Sequence, residues 1–483
     1  MNRRMIAFVL GRVLLVSAAL MVPSVAVGLY YHETAVHAFG PAILLSAVLG
    51  LLLSAKRPNN LTIYARDGFF IVASAWIIMS LVGAVPLYLC GGIASFTDCF
   101  FEIVSGFTTT GASVVPAIEE LPRCILFWRS FSHWIGGMGV LVFVLAIIPL
   151  ADDRSLHLMR AEVPGPVVGK LVPKMRATAK ILYGTYSFLT IVLIVLLIAG
   201  GMPLFDSVCN AFGAAGTGGF AIRNAGIAYY DSAYADVVLG VFMLLFGVNF
   251  NLFYFILIGR AGAALKNEEL HWYLGIVAVS TAAIAASILP LYKTVGESLR
   301  YAFFQVSSII TTTGFATADF ANDWPEIAKA ILVLLMCFGA CAGSTGGGLK
   351  ISRVIILGKT LKQEIQRTLH PRMVSQIRVD GKAVEKDVIH SVRVYFVLYM
   401  IIIVFSTLAL SLDGFDFTTN LTAELACFNN IGPGLGRVGP MGNFKAYSAF
   451  SKLLLSFNML LGRLEIYPLL VLFAPQSWRK NVN

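Results

Sequence analysis

Apolar residues in this chain gather into long, nearly unbroken runs. Ile181–Ile198, Val237–Ile258 and Val392–Leu412 are each about 20 residues, enough for one helical crossing of a bilayer. Two earlier runs, roughly Met5–Tyr30 and Ala38–Leu53, precede a basic stretch at Lys56–Arg66. From there one pattern recurs four times: a full apolar crossing, a shorter segment, a Gly/Thr-rich knot, and another full crossing. The short segments are Thr97–Phe107, Leu204–Phe212, Ser298–Ile309 and Asn420–Phe428. At about 10 residues each they are too brief to span and read as re-entrant helices. Their non-helical ends are tolerated at membrane depth only against protein or a water-filled cavity. The repetition therefore predicts an all-α integral membrane protein in which four re-entrant loops meet on one axis.

Composition agrees. The 483 residues are 58% hydrophobic and only 13% charged, with a mean hydropathy of +0.80. A soluble core of this size needs more polar cover. The formal charge of +10 raises nucleic-acid binding, but its distribution argues for topology instead. Lys and Arg concentrate in alternate loops: Lys56, Arg57 and Arg66; Arg154, Arg160, Lys170, Lys174 and Arg176; Arg260 and Lys266; and Lys350, Arg353, Lys359, Lys362, Arg367, Arg372 and Arg378. By the positive-inside rule these loops are cytoplasmic. The opposite loops carry Asp98, Glu102, Glu119, Glu120, Asp206, Asp231, Asp319, Asp323 and Asp416. The charged, apolar N-terminus resembles a signal sequence, yet no small-residue cleavage site follows, so an uncleaved first helix is expected. Seven scattered cysteines show no metal-binding spacing and read as buried structural residues. Whether Cys90, Cys99 and Cys124 pair is left open.

The knots read "TTTGAS", "GTGGFA", "TTTGFA" and "IGPGLG", aligned on Gly111, Gly219, Gly314 and Gly434. Two positions earlier stand Thr109, Thr217 and Thr312, with Gly432 in the fourth copy. Asp98 and Asp206 open their short helices, where a carboxylate suits the dipole. Glycine accepts positive φ and removes side-chain bulk, so a Thr-x-Gly turn can aim successive carbonyls at a common axis. Rings of such carbonyls replace the hydration shell of a monovalent cation. The blander account is close helix packing by small residues, which four copies in register make the weaker one.

"SGFTTTGAS", "GTGGF", "TTTGF" and "NNIGPGLG" within this repeat resemble the Trk/Ktr/HKT superfamily of potassium transporters, closest to its bacterial TrkH-type branch. "SHWIGGMG" (132–139), "GVNFNLFYF" (247–255), "CAGSTGGGLK" (341–350) and "GRLEIYP" (462–468) are also typical of it. The resemblance covers nearly the whole chain. It implies four M1–pore helix–M2 repeats around a pseudo-fourfold pore, plus two extra N-terminal transmembrane helices and about ten crossings in all. The divisions expected are a two-helix segment over 1–66 and repeats over 67–150, 151–265, 266–385 and 386–483, the third with a broken second helix. It further implies a potassium filter of backbone carbonyls at Thr109, Thr110, Gly111, Thr217, Gly218, Gly219, Thr312, Thr313, Gly314, Ile431, Gly432, Pro433 and Gly434. Some sodium-favouring plant relatives carry serine at the first filter glycine; Gly111 therefore favours potassium. The fourth loop, with Pro433 and no threonine, implies only approximate symmetry.

"GACAGSTGGGLK" interrupts the apolar stretch Ile327–Ile356. Leu349 separates Gly348 from Lys350, so Walker spacing fails. Gly343, Ser344, Thr345, Gly346, Gly347 and Gly348 must break the helix, and the resemblance makes them the intramembrane gate; a purely structural kink is the alternative. Arg463 lies within the last crossing, where arginine is costly and faces the interior. The resemblance makes it a positive barrier in the pore; a tie to backbone carbonyls of the broken loop is the compatible structural account, with Glu465 not the obvious partner. His133 is read as a packed polar residue rather than a ligand. The family also implies a homodimer in the bacterial plasma (inner) membrane, both termini cytoplasmic, with a cytosolic ring of RCK-type nucleotide-binding regulatory subunits docking on the basic loop Lys350–Lys386; a lipid-facing basic surface explains that loop equally well. No cofactor is expected in the chain, and potassium is its substrate. An ion-coupled potassium carrier is the rival, with Glu102 and Glu465 as its modest candidates. An intramembrane enzyme lacks any paired acid/base or metal motif.

Overall fold

The computed structural model describes residues 2–60, 64–139, 175–372 and 376–473. The basic positions Arg154, Arg160, Lys170 and Lys174 and the division at 150/151 lie outside the described residues. Two antiparallel helices open the chain, α1 (Arg3–Tyr30) and α2 (Phe39–Ser54). They cross at Gly11 and Gly50, where a β-carbon on either would come within 2.9 Å of the other's carbonyl oxygen. Small residues let backbones approach this closely, which is how helices associate in lipid. Leu44, Leu45, Val48 and Leu51–Leu53 of α2 point outward, as an apolar face does in a bilayer.

Each repeat then begins with a long apolar helix. These are α3 (Ala65–Leu89), α6 (Met175–Ala199), α10 (Glu268–Ile288) and α14 (Lys386–Leu410). Each is followed by a short one: α4 (Phe96–Phe107), α7 (Leu204–Gly216), α11 (Val295–Ile310) and α15 (Phe417–Phe428). The short helices start on acids or caps. Asp98 and Asp206 lie in first turns, Thr294 accepts from the Glu297 N–H at 3.1 Å, and Asp416 accepts from the Thr419 N–H at 2.9 Å. The Thr419 hydroxyl and amide together hold the Asp416 carboxyl below the usual carboxylate range. Asp98 does more than face a dipole, since it pairs with Lys452 at 2.7 Å and so ties the first short helix to the fourth repeat.

The second helices depart from expectation. Only the third repeat was expected to break. In the structure α5 (Arg123–Gly137) stops at Gly137; α8 (Ala233–Phe246) and α9 (Phe250–Leu257) meet at a 91° bend; α12 (Glu326–Cys337) and α13 (Ile351–Leu369) are separated by the glycine loop; α16 (Ala449–Arg463) gives way to α17 (Tyr467–Phe473) through Glu465 and Ile466, both at positive φ. Six helices among the described residues are therefore long and apolar enough to cross unbroken, seven with the bent pair. The second crossings of repeats 3 and 4 are in pieces, and that of repeat 1 is described only to Gly139. In repeats 1 and 4 the second helix ends where it passes beneath the end of a short helix. There the packing is backbone on backbone: a β-carbon on Gly136 would strike the Phe107 carbonyl, and one on Gly462 the Phe428 carbonyl.

Between α13 and α14 a two-residue hairpin, β1 (Arg378–Val379) with β2 (Lys382–Ala383), pairs antiparallel. All seven cysteines are free, five of them buried.

Gly462→Ala should cost about 1–3 kcal/mol, because the methyl has only the rigid Phe428 backbone to displace. Gly184→Ala, on an open face of α6 with nothing within 4 Å, should instead gain about 0.5–1 kcal/mol of helix stability. Thermal unfolding of the two purified variants in detergent checks both signs.

Candidate functional site

The C-terminal ends of the four short helices carry one backbone pattern. A residue one position past a full turn sits in the left-handed region: Thr109 at φ 56°, Thr217 at 54°, Thr312 at 60° and Asn430 at 56°. The next residue's N–H reaches back five positions, from Thr110 to Ser105, Gly218 to Gly213, Thr313 to Ser308 and Ile431 to Ala426, each at 2.8–2.9 Å. A glycine at positive φ follows: Gly111, Gly219, Gly314 and Gly432. The fourth loop is thus in register on Gly432, not Gly434. Asn430 stands where the other loops have threonine. Gly434 lies beyond the turn, its N–H bonded to the Val438 carbonyl at 2.7 Å, and a β-carbon on it would meet Thr422.

These glycines close a ring. A β-carbon on Gly111 would collide with the carbonyl of Gly218, one on Gly219 with that of Thr313, and one on Gly314 with that of Ile431. One on Gly432 would lie 2.7 Å from the carbonyl of Thr110. The order runs from the first loop to the second, third, fourth and back to the first. Positive φ and neighbouring backbone exclude any larger residue twice over. Repeats 1 and 3 therefore face each other across the axis, as do 2 and 4. Above the ring a funnel with about 840 Å³ of empty space is lined by Ala112, Phe220, Phe315 and Pro433, the four residues after the glycines, among others.

Bracing is twofold rather than fourfold. In loops 1 and 3 a threonine pair closes on itself, Thr108 to Thr110 and Thr311 to Thr313, each 2.8 Å between hydroxyls. The Thr217 hydroxyl instead donates to its neighbour's carbonyl, at Gly216. Asn430 leans across to the first loop, donating to the Thr110 hydroxyl and to the Met459 carbonyl at 3.0 Å each. Outside the ring, buried Glu102 accepts from Arg129 at 2.6 and 2.8 Å, from the Val114 N–H and from the half-buried Ser113 hydroxyl. Arg129 reaches on to the Ala221 carbonyl at 3.3 Å and lies over the Phe220 ring. His133 accepts the Phe220 N–H at Nε2, so Nδ1 carries the proton and donates to the Gly106 carbonyl at 2.7 Å. It is a packed bridge between the first two loops. Arg129 was missed, although an arginine inside "FWRSFSHW" carries the signal that singled out Arg463.

Directly beneath lies the 343–348 loop. Its amides and carbonyls grip the second repeat: Phe250 N–H to Gly343 O at 3.1 Å, Thr345 N–H and hydroxyl to Phe246 O. Gly347 N–H donates to the Thr312 hydroxyl at 2.7 Å. A β-carbon on Gly346 would meet Ala340 at 2.9 Å and the Thr311 carbonyl at 3.0 Å, and one on Gly347 would strike Asn429 and Asn430. Arg463 donates to Thr345 O at 2.6 Å and to Gly136 O and Gly137 O at 2.5 and 2.7 Å. One guanidinium so joins repeat 3 to repeat 1, which face each other, and a group that does so lies across the axis. The structural account of Arg463 holds in its geometry, since it is tied to backbone carbonyls, that of Thr345 in the broken loop among them. Lys350, counted from sequence as part of a cytoplasmic basic face, is buried and donates to the Gly346 carbonyl. Arg353 is also buried, paired with Glu465 at 2.5 Å and stacked over Tyr395. The exposed remainder of that face is Lys362, Arg367, Arg372, Arg378, Lys382 and Lys386.

A family model described as TrkH, cation transport protein, matches residues 35–276 and 276–480. The chain belongs to the TrkH family. Similar proteins include the Trk system potassium uptake protein TrkH of Salmonella typhimurium, 34% identical across 99% of this chain and 100% of that one. Trk system potassium uptake protein TrkG of Escherichia coli K12 is 36% identical over 95% of each. The crystal structure of the potassium transporter TrkH from Vibrio parahaemolyticus superposes with a TM-score of 0.90 at 33% identity, covering 99% of this chain and 100% of that one. The TrkH-type architecture, an all-α multi-pass membrane protein with four pore repeats and two additional N-terminal helices, is therefore the fold of this chain.

Replacing Arg129 by Met should cost about 3–5 kcal/mol, because Glu102 is left charged and buried without its partner. Arg129→Met with Glu102→Met should recover part of that loss. Full recovery is not expected, since the Ser113 hydroxyl and Val114 N–H lose their acceptor. Denaturant titration of the single and double variants measures the difference.

Proposed function

We propose that this chain takes up potassium across the bacterial inner membrane by channel-like permeation, without covalent chemistry. The observation that carries the reading is the closed ring Gly111–Gly219–Gly314–Gly432, each glycine against the next loop's carbonyl. The coordinating residues are Thr109–Gly111, Thr217–Gly219, Thr312–Gly314 and Asn430–Gly432, with Pro433 at the funnel side and Gly434 outside the set. Four short helices end at this ring, and their C-termini add partial negative charge towards a cation. The similar proteins named as potassium uptake proteins support the ion. A potential of 100 mV is worth about 2.3 kcal/mol per charge, enough to drive accumulation through a passive route.

The residues 343–348 are the gate in this reading, and Arg463 the barrier. An ion-coupled carrier would draw on Glu102 or Glu465, but each is held by an arginine, Arg129 and Arg353, which favours the uncoupled route. Both termini face the cytoplasm, a second copy completes a homodimer within the lipid, and an RCK-type nucleotide-binding subunit docks on the exposed part of the basic face.

Gly111→Ser and Gly432→Ser should each lower potassium-over-sodium discrimination, because a side chain displaces one carbonyl of the ring. Gly434→Ala should leave it at the wild-type value. Bi-ionic reversal potentials in proteoliposomes read this, and unchanged discrimination in both serine variants would remove the ring from the filter role.

Arg463→Ala should raise cation flux per folded molecule. At an effective dielectric of 20 and about 6 Å, a fixed charge repels a passing ion by on the order of 3 kcal/mol, an upper guide of ~100-fold. Arg463→Lys should retain most of the barrier. Alanine flux at or below wild type, normalised to monodisperse protein, would leave Arg463 as a packing residue alone.

A further inference from the structure

The loop 343–348 hangs between two arms, one leaving α12 and one entering α13. Phe338 and Leu349 pair as an isolated parallel bridge, and the Gly339 N–H donates to the Leu349 carbonyl at 2.8 Å. One oxygen joins the arms from the side. Glu269 Oε1 accepts from the Ala342 N–H at 2.8 Å and from the Ser352 N–H at 3.0 Å. Glu269 is buried in the first turn of α10, whose N-cap is Asn267.

The two residues before it reach the cytoplasmic elements. Glu268 pairs with Lys359 of α13 at 2.5 Å. Its N–H donates to one Asp380 carboxylate oxygen at 2.7 Å, and Asn267 Nδ2 donates to the other at 2.9 Å. Asp380 is the turn of the β1–β2 hairpin, and Lys359 also donates to the Arg378 carbonyl there at 2.6 Å. Hairpin, α13 and the base of the loop thus converge on three consecutive residues, 267–269.

We propose that Glu269 is a positioning residue that clamps the loop shut, and that the 378–383 hairpin is the lever through which a cytosolic force moves that clamp. The inference rests on reading 343–348 as the gate. A carboxylate that accepts two amide bonds away from water makes charge-assisted bonds, the strong kind. A segment with four glycines has little intrinsic stiffness, so its position is set by what holds its ends. For Gly346 and Gly347 to leave Thr312 and Asn430, the arms must turn, and turning them pulls the Ala342 or Ser352 amide off Glu269. Glu269 itself shifts only with the first turn of α10, and Asp380 caps that turn.

The test is potassium flux in proteoliposomes without any cytosolic partner, per folded molecule. Glu269→Ala should raise it by about tenfold or more, the scale of two lost charge-assisted bonds. Glu269→Gln keeps an acceptor oxygen but loses the charge, and should raise flux less than Glu269→Ala. Asp380→Ala should raise flux less than Glu269→Ala. Deleting 343–348 should raise flux by itself, and neither alanine variant should add to it. Should Glu269→Ala not yield monodisperse protein, Ser352→Pro removes one donor at a first-turn position that tolerates proline and should raise flux. A deletion that raises flux while Glu269→Ala and Ser352→Pro do not would overturn the clamp and leave the gate standing. A deletion with wild-type flux would overturn the gate reading itself. Equal rises for Glu269→Ala with and without the loop would place its effect elsewhere and overturn the clamp too. Asp380→Ala at wild-type flux, with Glu269→Ala raised, would remove the hairpin as lever.

Discussion

Four helices that stop partway through a membrane impose one demand on everything around them: the backbone beyond each stop must find partners inside the protein. The structure meets it with other backbone first. Each left-handed turn folds its amides back onto its own helix, and each turn glycine lies against the next loop's carbonyl. Glycines at 136 and 462 bring second helices up under the carbonyls of Phe107 and Phe428. Only then do buried side chains complete the work, Glu102 with Arg129 on one side and Thr422 with Leu435 on another. Breaking the second helices follows from the same demand. A straight helix cannot pass beneath the ring and also turn carbonyls and amides towards it.

Hydropathy periods and the spacing of short segments were enough to read the repeat, because lipid allows so few solutions to backbone satisfaction. The four short helices start and end within a few residues of where the sequence placed them. Register in the fourth loop was not legible in the same way. Gly432 and Gly434 both suit a turn, and threonine, the marker used elsewhere, is missing. What decides is distance from the helix end: the ring glycine stands four residues after Phe107 and four after Phe428. The bends at 247–249 and 463–466 were hidden for another reason. The segments on both sides are apolar, so a hydropathy reading runs straight through Asn249, Arg463 and Glu465, and the second break is set by positive φ at Glu465 and Ile466. Glu269 left no trace at all, since two glutamates at a helix start look like ordinary partners of the dipole.

The departures from fourfold symmetry are organised. Repeats 1 and 3 carry the matched threonine pairs across the axis, while repeat 4 leans on repeat 1 through Asn430. Repeat 3 gives up its second helix to a loop that touches repeats 2, 3 and 4 directly, and repeat 4 supplies the arginine that carries that contact to repeat 1. A symmetric tetramer could not assign these tasks separately. Four covalently joined repeats can diverge one position at a time.

That division has an electrostatic consequence. Below the ring the protein places two side-chain donors of its own on backbone carbonyls, the Arg463 guanidinium on Thr345, Gly136 and Gly137, and the Lys350 amine on Gly346. Both lie under the C-terminal ends of the four short helices, whose partial negative charge suits any cation. Desolvating a guanidinium at this depth is expensive, and carbonyl dipoles with helix ends offset the cost here. On the proposed reading the same physics solvates the transported ion and the barrier to it. The closed state is then a competition for carbonyl oxygens between a tethered cation and a free one. Where the loop lies therefore decides which of them the carbonyls below the ring serve, and that makes the loop's anchorage, rather than its glycines, the variable on which opening turns.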